Sequence, residues 1–243
     1  MKADPAVQRR LLDLAEADAE LNRVEHRRRT LPELEQIGQA EGEVRAKRDE
    51  LVVAQTAFSD LDREVKRLEN EVDQVRAREQ RDRDLMAAGA SAKQLEDLEH
   101  ELQTLARRQG ILEDEQLEVM EQREALETNV TKSREMLAAA EERLAEIQSR
   151  RDEALAGLEV AEARRRGERN LIAKALPADL AALYERIRAQ RGVAAGLLQG
   201  ARCSACRIEL DRTALTEVHE AAADDVVRCE ECGAILVRTG DNR

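Results

Sequence analysis

Residues 51–75 read LVVAQTAFSDLDREVKRLENEVDQV, and within them Leu51, Ala54, Phe58, Leu61, Val65, Leu68, Val72 and Val75 alternate spacings of three and four. That is a heptad seam of period 3.5, the pattern of a helix that buries one narrow stripe against another helix. A second seam starts at Leu95, Leu98, Leu102 and Leu105. It runs on through Leu112, Val119, Leu126, Val130, Leu137, Ala140, Leu144 and Ile147, then with interruptions through Ala154, Leu158, Ala161, Ile172 and Ala175. Gln109, Gln116 and Arg123 fall on seam positions, where polar residues fix register at a cost in stability.

The prolines are Pro5, Pro32 and Pro177, so nothing between 33 and 176 forbids a long helix. Between the seams, Leu85-Met86-Ala87-Ala88-Gly89-Ala90-Ser91 carries no charge. Gly89 suits a left-handed helix end and Ser91 an N-cap, so a reversal is expected near 85–93. The arms on either side are nearly equal. Position i should then face roughly 178 − i, placing Phe58 opposite Val119 or Met120, with arms of about 120 Å at ~1.5 Å per residue. Thr30-Leu31-Pro32-Glu33 puts a proline at a helix start, and Gly38 and Gly42 weaken the same stretch, so a helix break is expected near 30–33.

Composition agrees with a mainly α chain. Charged residues make up 38% and aromatics 1%, with Phe58 and Tyr184 the only rings and no Trp. An aromatic-poor sequence rich in Ala, Glu, Leu and Arg with a helical period is that of a long helix or coiled coil rather than a compact globular core. No apolar run reaches spanning length and the start lacks a signal-peptide pattern, so a cytoplasmic, non-membrane protein is expected.

After Pro177 a short neck helix is expected over 177–191, with Leu180, Leu183, Tyr184 and Ile187 at helical spacing. From 192 the grammar changes. Gly192, Gly196 and Gly200 punctuate a short strand. Then Cys203-x2-Cys206 and Cys229-x2-Cys232 follow, separated by 22 residues. Two such pairs match a four-thiolate site, because each tight turn aims two sulfurs at one ion and two turns complete a tetrahedron. The reading is thus an antiparallel coiled-coil hairpin over 1–176, the neck over 177–191 and a small β zinc ribbon over 192–243. One structural Zn2+ would be held by Cys203, Cys206, Cys229 and Cys232. A module this small without an aromatic residue needs the metal to fold. Four protein ligands leave no open position, so no catalysis is expected there. A thiol–disulfide role is the weaker alternative. His219 reads as an exposed helix residue, and His26 and His100 lie on the arms without a recognisable partner.

The net charge of −12 is unevenly spread: residues 164–207 hold ten Arg and Lys against three acids. Arg164, Arg165 and Arg166 have expected partners on the N-terminal arm in Asp13, Glu16, Asp18 and Glu20. The later group, Arg186, Arg188, Arg191, Arg202 and Arg207 with Tyr184 beside them, is the candidate surface for a protein or nucleic-acid partner.

The coiled-coil hairpin, the Tyr184-Glu185-Arg186-Ile187-Arg188 helix, Cys203-Ser204-Ala205-Cys206 and Cys229-Glu230-Glu231-Cys232-Gly233 together resemble the bacterial C4-type zinc-ribbon family with an N-terminal coiled-coil hairpin. The sequence departs from that pattern at Ala205, where glycine would be expected. The resemblance implies a non-enzymatic zinc-binding adaptor, with links to nucleic acid or to partners such as alternative sigma factors and secretion or flagellar components. A sequence-tolerant DNA- or RNA-binding protein is the second reading, and self-association through residual apolar surface stays open.

Overall fold

The first helix, α1 (Pro5–Arg29), begins where the Asp4 carboxylate accepts from the Ala6 N–H at 2.8 Å, with Pro5 in its first turn. Its last turn, His26-Arg27-Arg28-Arg29, places positive charge against the carbonyl end of the helix dipole. Thr30 closes α1, and α2 (Pro32–Ala87) starts at the next proline and runs unbroken through Gly38 and Gly42. After the turn, with Gly89 at φ 96°, α3 (Ala92–Lys174) opens on a capping pair in which the Ser91 N–H and hydroxyl both donate to Gln94 Oε1. The short helix α4 (Ala178–Arg191) ends at Gly192, φ 81°. It is followed by β1 (Ala195–Gln199), β2 (Arg202–Cys203), α5 (Arg212–Glu220), β3 (Val227–Arg228) and β4 (Ile235–Val237). The computed structural model describes residues 1–239. The fold is mainly α, a long helical hairpin followed by a small C-terminal sheet, and it divides into two units.

One unit, Glu35–Ser149, is a pair of antiparallel helices, the body of α2 against the first two-thirds of α3. The residues it removes from solvent include the seam positions Val65, Leu68 and Val72 on α2 and Leu112, Val130, Ala140 and Ile147 on α3, with Ala40 and Val44 buried earlier on α2. Two carboxylates, Glu79 and Asp82, continue the seam spacing 72–75–79–82 and are buried as well. Arg123, a polar seam residue, lies 5.0 Å over the Phe58 ring with its Nε 3.0 Å from Asp62 Oδ1. Seam arginine and the hairpin's one aromatic ring therefore cover each other.

This pairing corrects the register. Phe58 meets Arg123 and lines a cleft with Val130 and Thr131, further from the turn than Val119 or Met120. Equal-arm arithmetic compares Cα heights, whereas each side chain leans toward its own helix N-terminus. In an antiparallel pair the two leans are opposite, so contacts shift along α3 away from the turn.

The other unit joins Met1–Leu34 to the chain from Arg150 on. Its sheet has strand order β2-β1-β4-β3, with β1 parallel to β4 and the outer pairs antiparallel. Ile235, Leu236 and Val237 are each 0% exposed. Strand alternation sends Ile235 and Val237 to one face, with Leu11, Leu14, Leu180, Tyr184 and Ile187 of α1 and α4. It sends Leu236 to the other, with Leu198, Cys203, Cys229 and the α5 residues Ala214 and Val218. The aromatic ring that the ribbon lacks is thus supplied by α4. The N-terminus is tied on too: Ala3 N–H donates to Asp224 O at 2.7 Å, and Val226 N–H to Met1 O at 3.0 Å. Arg238 holds the far side, its guanidinium donating to the carbonyls of Val218, Ala221, Ala222 and Asp225 at 2.7–3.0 Å.

A polar cluster completes this unit. Asp18, 3% exposed, accepts from Tyr184 Oη at 2.7 Å and Arg169 Nε at 2.8 Å, with Arg188 Nε 3.0 Å away. Glu185 pairs with both arginines, so two carboxylates balance two guanidiniums. Burial, reinforced by the hydrogen bond to Asp18 and its charge, raises the Tyr184 pKa above its ordinary value. A raised folded-state value means that stability is fully present below the ordinary tyrosine pKa of about 10 and is lost as pH rises above it. Tyr184, the only tyrosine, should therefore show no tyrosinate absorbance near pH 10 until this unit unfolds. Free ionisation at the ordinary value in folded protein would contradict the buried hydrogen bond.

Candidate metal centre

Cys203, Cys206, Cys229 and Cys232 place their sulfurs within 4.8 Å of one another. Cys203 to Cys232 and Cys206 to Cys229 are both 4.0 Å apart. Four sulfurs around a zinc ion at ~2.3 Å would form a tetrahedron with edges of about 3.8 Å, so the cluster fits the ion with little adjustment. Its electrostatics fit as well. Burial pushes the Cys203 thiol up and carries Cys232 up to about 12, although the Ala234 N–H partly offsets it there. At Cys206 burial is outweighed by the Ile208 N–H and the neighbouring sulfurs, which lower the value. Four thiolates this close are stable only beside a cation that neutralises them.

The two knuckles are built alike. In the first, Arg207 N–H donates to Cys203 O at 2.7 Å and Cys203 N–H to Ile208 O at 3.0 Å. In the second, Gly233 N–H donates to Cys229 O and Cys229 N–H to Ala234 O, both at 2.8 Å. Each turn ends in a left-handed residue, Gly233 at φ 75° and Arg207 at φ 63°. Glycine adopts that conformation freely and arginine does not.

The first knuckle is also docked on β1. Leu197 N–H donates to Ser204 Oγ at 2.7 Å and Ser204 N–H to Leu197 O at 2.9 Å. A Cβ on Gly196 would lie 2.7 Å from Ala205 N and 2.8 Å from Ala205 Cβ. The Ala205 methyl thus occupies the room that Gly196 leaves, which accounts for alanine where glycine was expected. A glycine inside a strand signals such an approach. Arg207 was traceable only by aligning it with Gly233.

The candidate partner surface divides. Tyr184 is 1% exposed with its hydroxyl on Asp18, so it is a core residue and not a stacking platform. Arg188 is engaged by Asp18 and Glu185, which removes it from the surface set as well. Arg186, Arg191, Arg202 and Arg207 are exposed and have no ion-pair partner among the described residues. Of the earlier arginines, Arg164 pairs with Glu168, Arg165 with Glu20 and Glu168, and Arg166 with Glu162. His26, His100 and His219 are exposed.

Two substitutions test this construction by thermal unfolding of metal-loaded protein. Gly196→Ala should cost roughly 1–3 kcal/mol through overpacking against the first knuckle. Arg207→Gly should stabilise by about 1 kcal/mol through release of the left-handed strain. A neutral Gly196→Ala would mean that β1 and the knuckle are not in contact.

Comparison with known proteins agrees with this geometry. Residues 14–192 match the CT398-like coiled coil hairpin domain and residues 202–236 the C4-type zinc ribbon domain. A protein of Mycobacterium tuberculosis is 48% identical over 239 residues, covering 98% of both chains. One from Mycobacterium leprae is 36% identical over 223 residues, 91% of this chain and 96% of the other. A Mycobacterium smegmatis structure superposes with a TM-score of 0.89 at 44% identity, covering 98% of this chain and 100% of that one. CT398 from Chlamydia trachomatis shares the fold, with a TM-score of 0.65 at 16% identity over 96% and 98% of the two chains. With its helical hairpin and its four gathered cysteines, this chain belongs to the family of CT398-like coiled-coil hairpin proteins that carry a C4-type zinc ribbon.

Proposed function

We propose that the protein is a non-enzymatic adaptor in which one structural zinc ion, held by Cys203, Cys206, Cys229 and Cys232, shapes a ribbon that presents a basic surface to a protein partner. The observation that carries this reading is the closed set of four gathered sulfurs, which leaves no position for water or substrate. Zinc bound there neutralises the thiolates and ties the two knuckles together. The chain's own residues do the rest: Arg186, Arg191, Arg202 and Arg207 stay exposed while their neighbours are consumed in ion pairs. Free thiols kept as metal ligands suit a reducing, cytoplasmic setting. No helix among the described residues is long and apolar enough to cross a membrane.

The same four arginines favour a second reading, contact with nucleic-acid phosphates. Against it stand Tyr184, buried and unable to stack on a base, and the acidic pair Glu230 and Glu231 exposed on the second knuckle.

Elemental analysis of purified protein should find one zinc per chain. A metal-free preparation that keeps full partner binding would overturn the structural role. Affinity capture with nuclease-treated lysate should retain a partner that Arg186→Glu with Arg191→Glu releases. If binding instead vanishes with nuclease, and nucleic acid alone binds with a steep salt dependence, the second reading replaces the first.

A further inference from the structure

We infer that one flank of the α2–α3 pair is a self-association surface, on which a second copy of this chain docks antiparallel about a two-fold axis beside Thr131. Heptad spacing defines the flank, from 48 to 76 on α2 and from 113 to 141 on α3. Both ends are closed by ion pairs, Arg48 with Glu141 at 3.1 Å and Arg76 with Glu113 at 2.7 Å. Seven residues inward from the first pair, Gln55 faces Arg134; seven further on, Asp62 faces Glu127. Neither of these is an ion pair. Asp62 is held instead by Arg123 at 3.0 Å and Lys66 at 2.7 Å. Glu127 and Arg134 are exposed and have no ion-pair partner among the described residues. Helical spacing offers them none either. Three and four residues from Arg134 stand Val130, Thr131, Leu137 and Ala138. At the same spacing Glu127 has a like charge in Glu124 and an arginine, Arg123, already engaged by Asp62 and Phe58.

These two charges line one cleft of about 430 Å³, together with Phe58, Val130 and Thr131. Val52 and Met120, 55% and 41% exposed, extend apolar surface beyond either end, one helical turn from Gln55 and two from Glu127. The cleft thus has apolar lining, a carboxylate at one end and a guanidinium at the other. That pattern is its own complement. The midpoint of 127 and 134 falls beside Thr131, with each charge ~5 Å from it along the helix. Where two α3 helices meet antiparallel at that point, Glu127 of each copy reaches Arg134 of the other, as an isologous interface requires. A partner helix of one charge sign would satisfy one end and be repelled at the other, and phosphates would be repelled by Glu127. The extent is sufficient as well. Between its end pairs the flank is ~42 Å long at ~1.5 Å per residue and two helices, ~20 Å, across. A contact along it covers about 800 Å² per copy, the size of a stable interface.

The test is sedimentation velocity of the full zinc-loaded protein across a dilution series. Wild type should reach the mass of two chains. Glu127→Arg and Arg134→Glu should each raise the dimer dissociation constant at least about tenfold, because each sets like charges against each other across the axis. Mixed in equal amounts, the two variants should associate with each other about as tightly as wild type. One copy then offers two guanidiniums and the other two carboxylates, a rescue that misfolding cannot imitate. Glu118→Arg, a charge reversal at an exposed α3 residue off this flank, should change the constant by less than about twofold. Four results would overturn the proposal: wild type monomeric at every concentration, a dimer indifferent to both reversals, variants that stay apart when mixed, or an equal loss with Glu118→Arg. None of them bears on the arginine surface of the ribbon.

Discussion

Ile235, Leu236 and Val237 form a strand of three residues with no solvent on either face, and the base of this protein is organised around that constraint. A sheet this small cannot bury both faces with its own side chains. One face is closed by Leu11, Leu14, Leu180, Tyr184 and Ile187 from two helices, and the other by α5 and the cysteines. The consequence is thermodynamic. Holding the knuckles together stabilises the second face directly and, through β4, the first as well. Zinc held by the four cysteines would therefore couple folding of the ribbon to packing of α1 on α4 in one equilibrium.

The charged residues divide by the same logic. Around Asp18 two arginines and a tyrosine are drawn inward, where losing one member would strand a buried charge. Those arginines specify how α1, α3 and α4 meet and are not offered to a partner. What stays exposed, Arg186, Arg191, Arg202 and Arg207, lies along α4, on β2 and at the first knuckle. A high local count of arginine is thus a poor measure of a binding surface until the internal pairs have been removed from it.

Period and spacing were legible before any coordinates. Leu112, Val130, Ala140, Ile147 and Leu158 are buried where the heptad places them, and the two CxxC pairs converge as their spacing requires. Tyr184 was misread as a surface ring although its spacing with Leu180 and Ile187 put it on the apolar face of α4. Glu79 and Asp82 carry the seam past Val75 as buried carboxylates, which an apolar period does not mark. The parallel pairing of β1 with β4 depends on residues about 40 positions apart in sequence. No local pattern reports such a pairing.

The coupling of metal to helical base is the claim on which the account stands, and Tyr184 reports it directly, as the only tyrosine in a chain without tryptophan. Metal-free protein should be titrated with zinc while tyrosine fluorescence and free thiols are followed together. The account predicts that both signals change in step and reach their end points at one equivalent, with Tyr184 passing from a solvated to a buried, hydrogen-bonded ring. A tyrosine signal already native before zinc is added, with only the thiols responding, would show that the ribbon folds apart from the base and would contradict it.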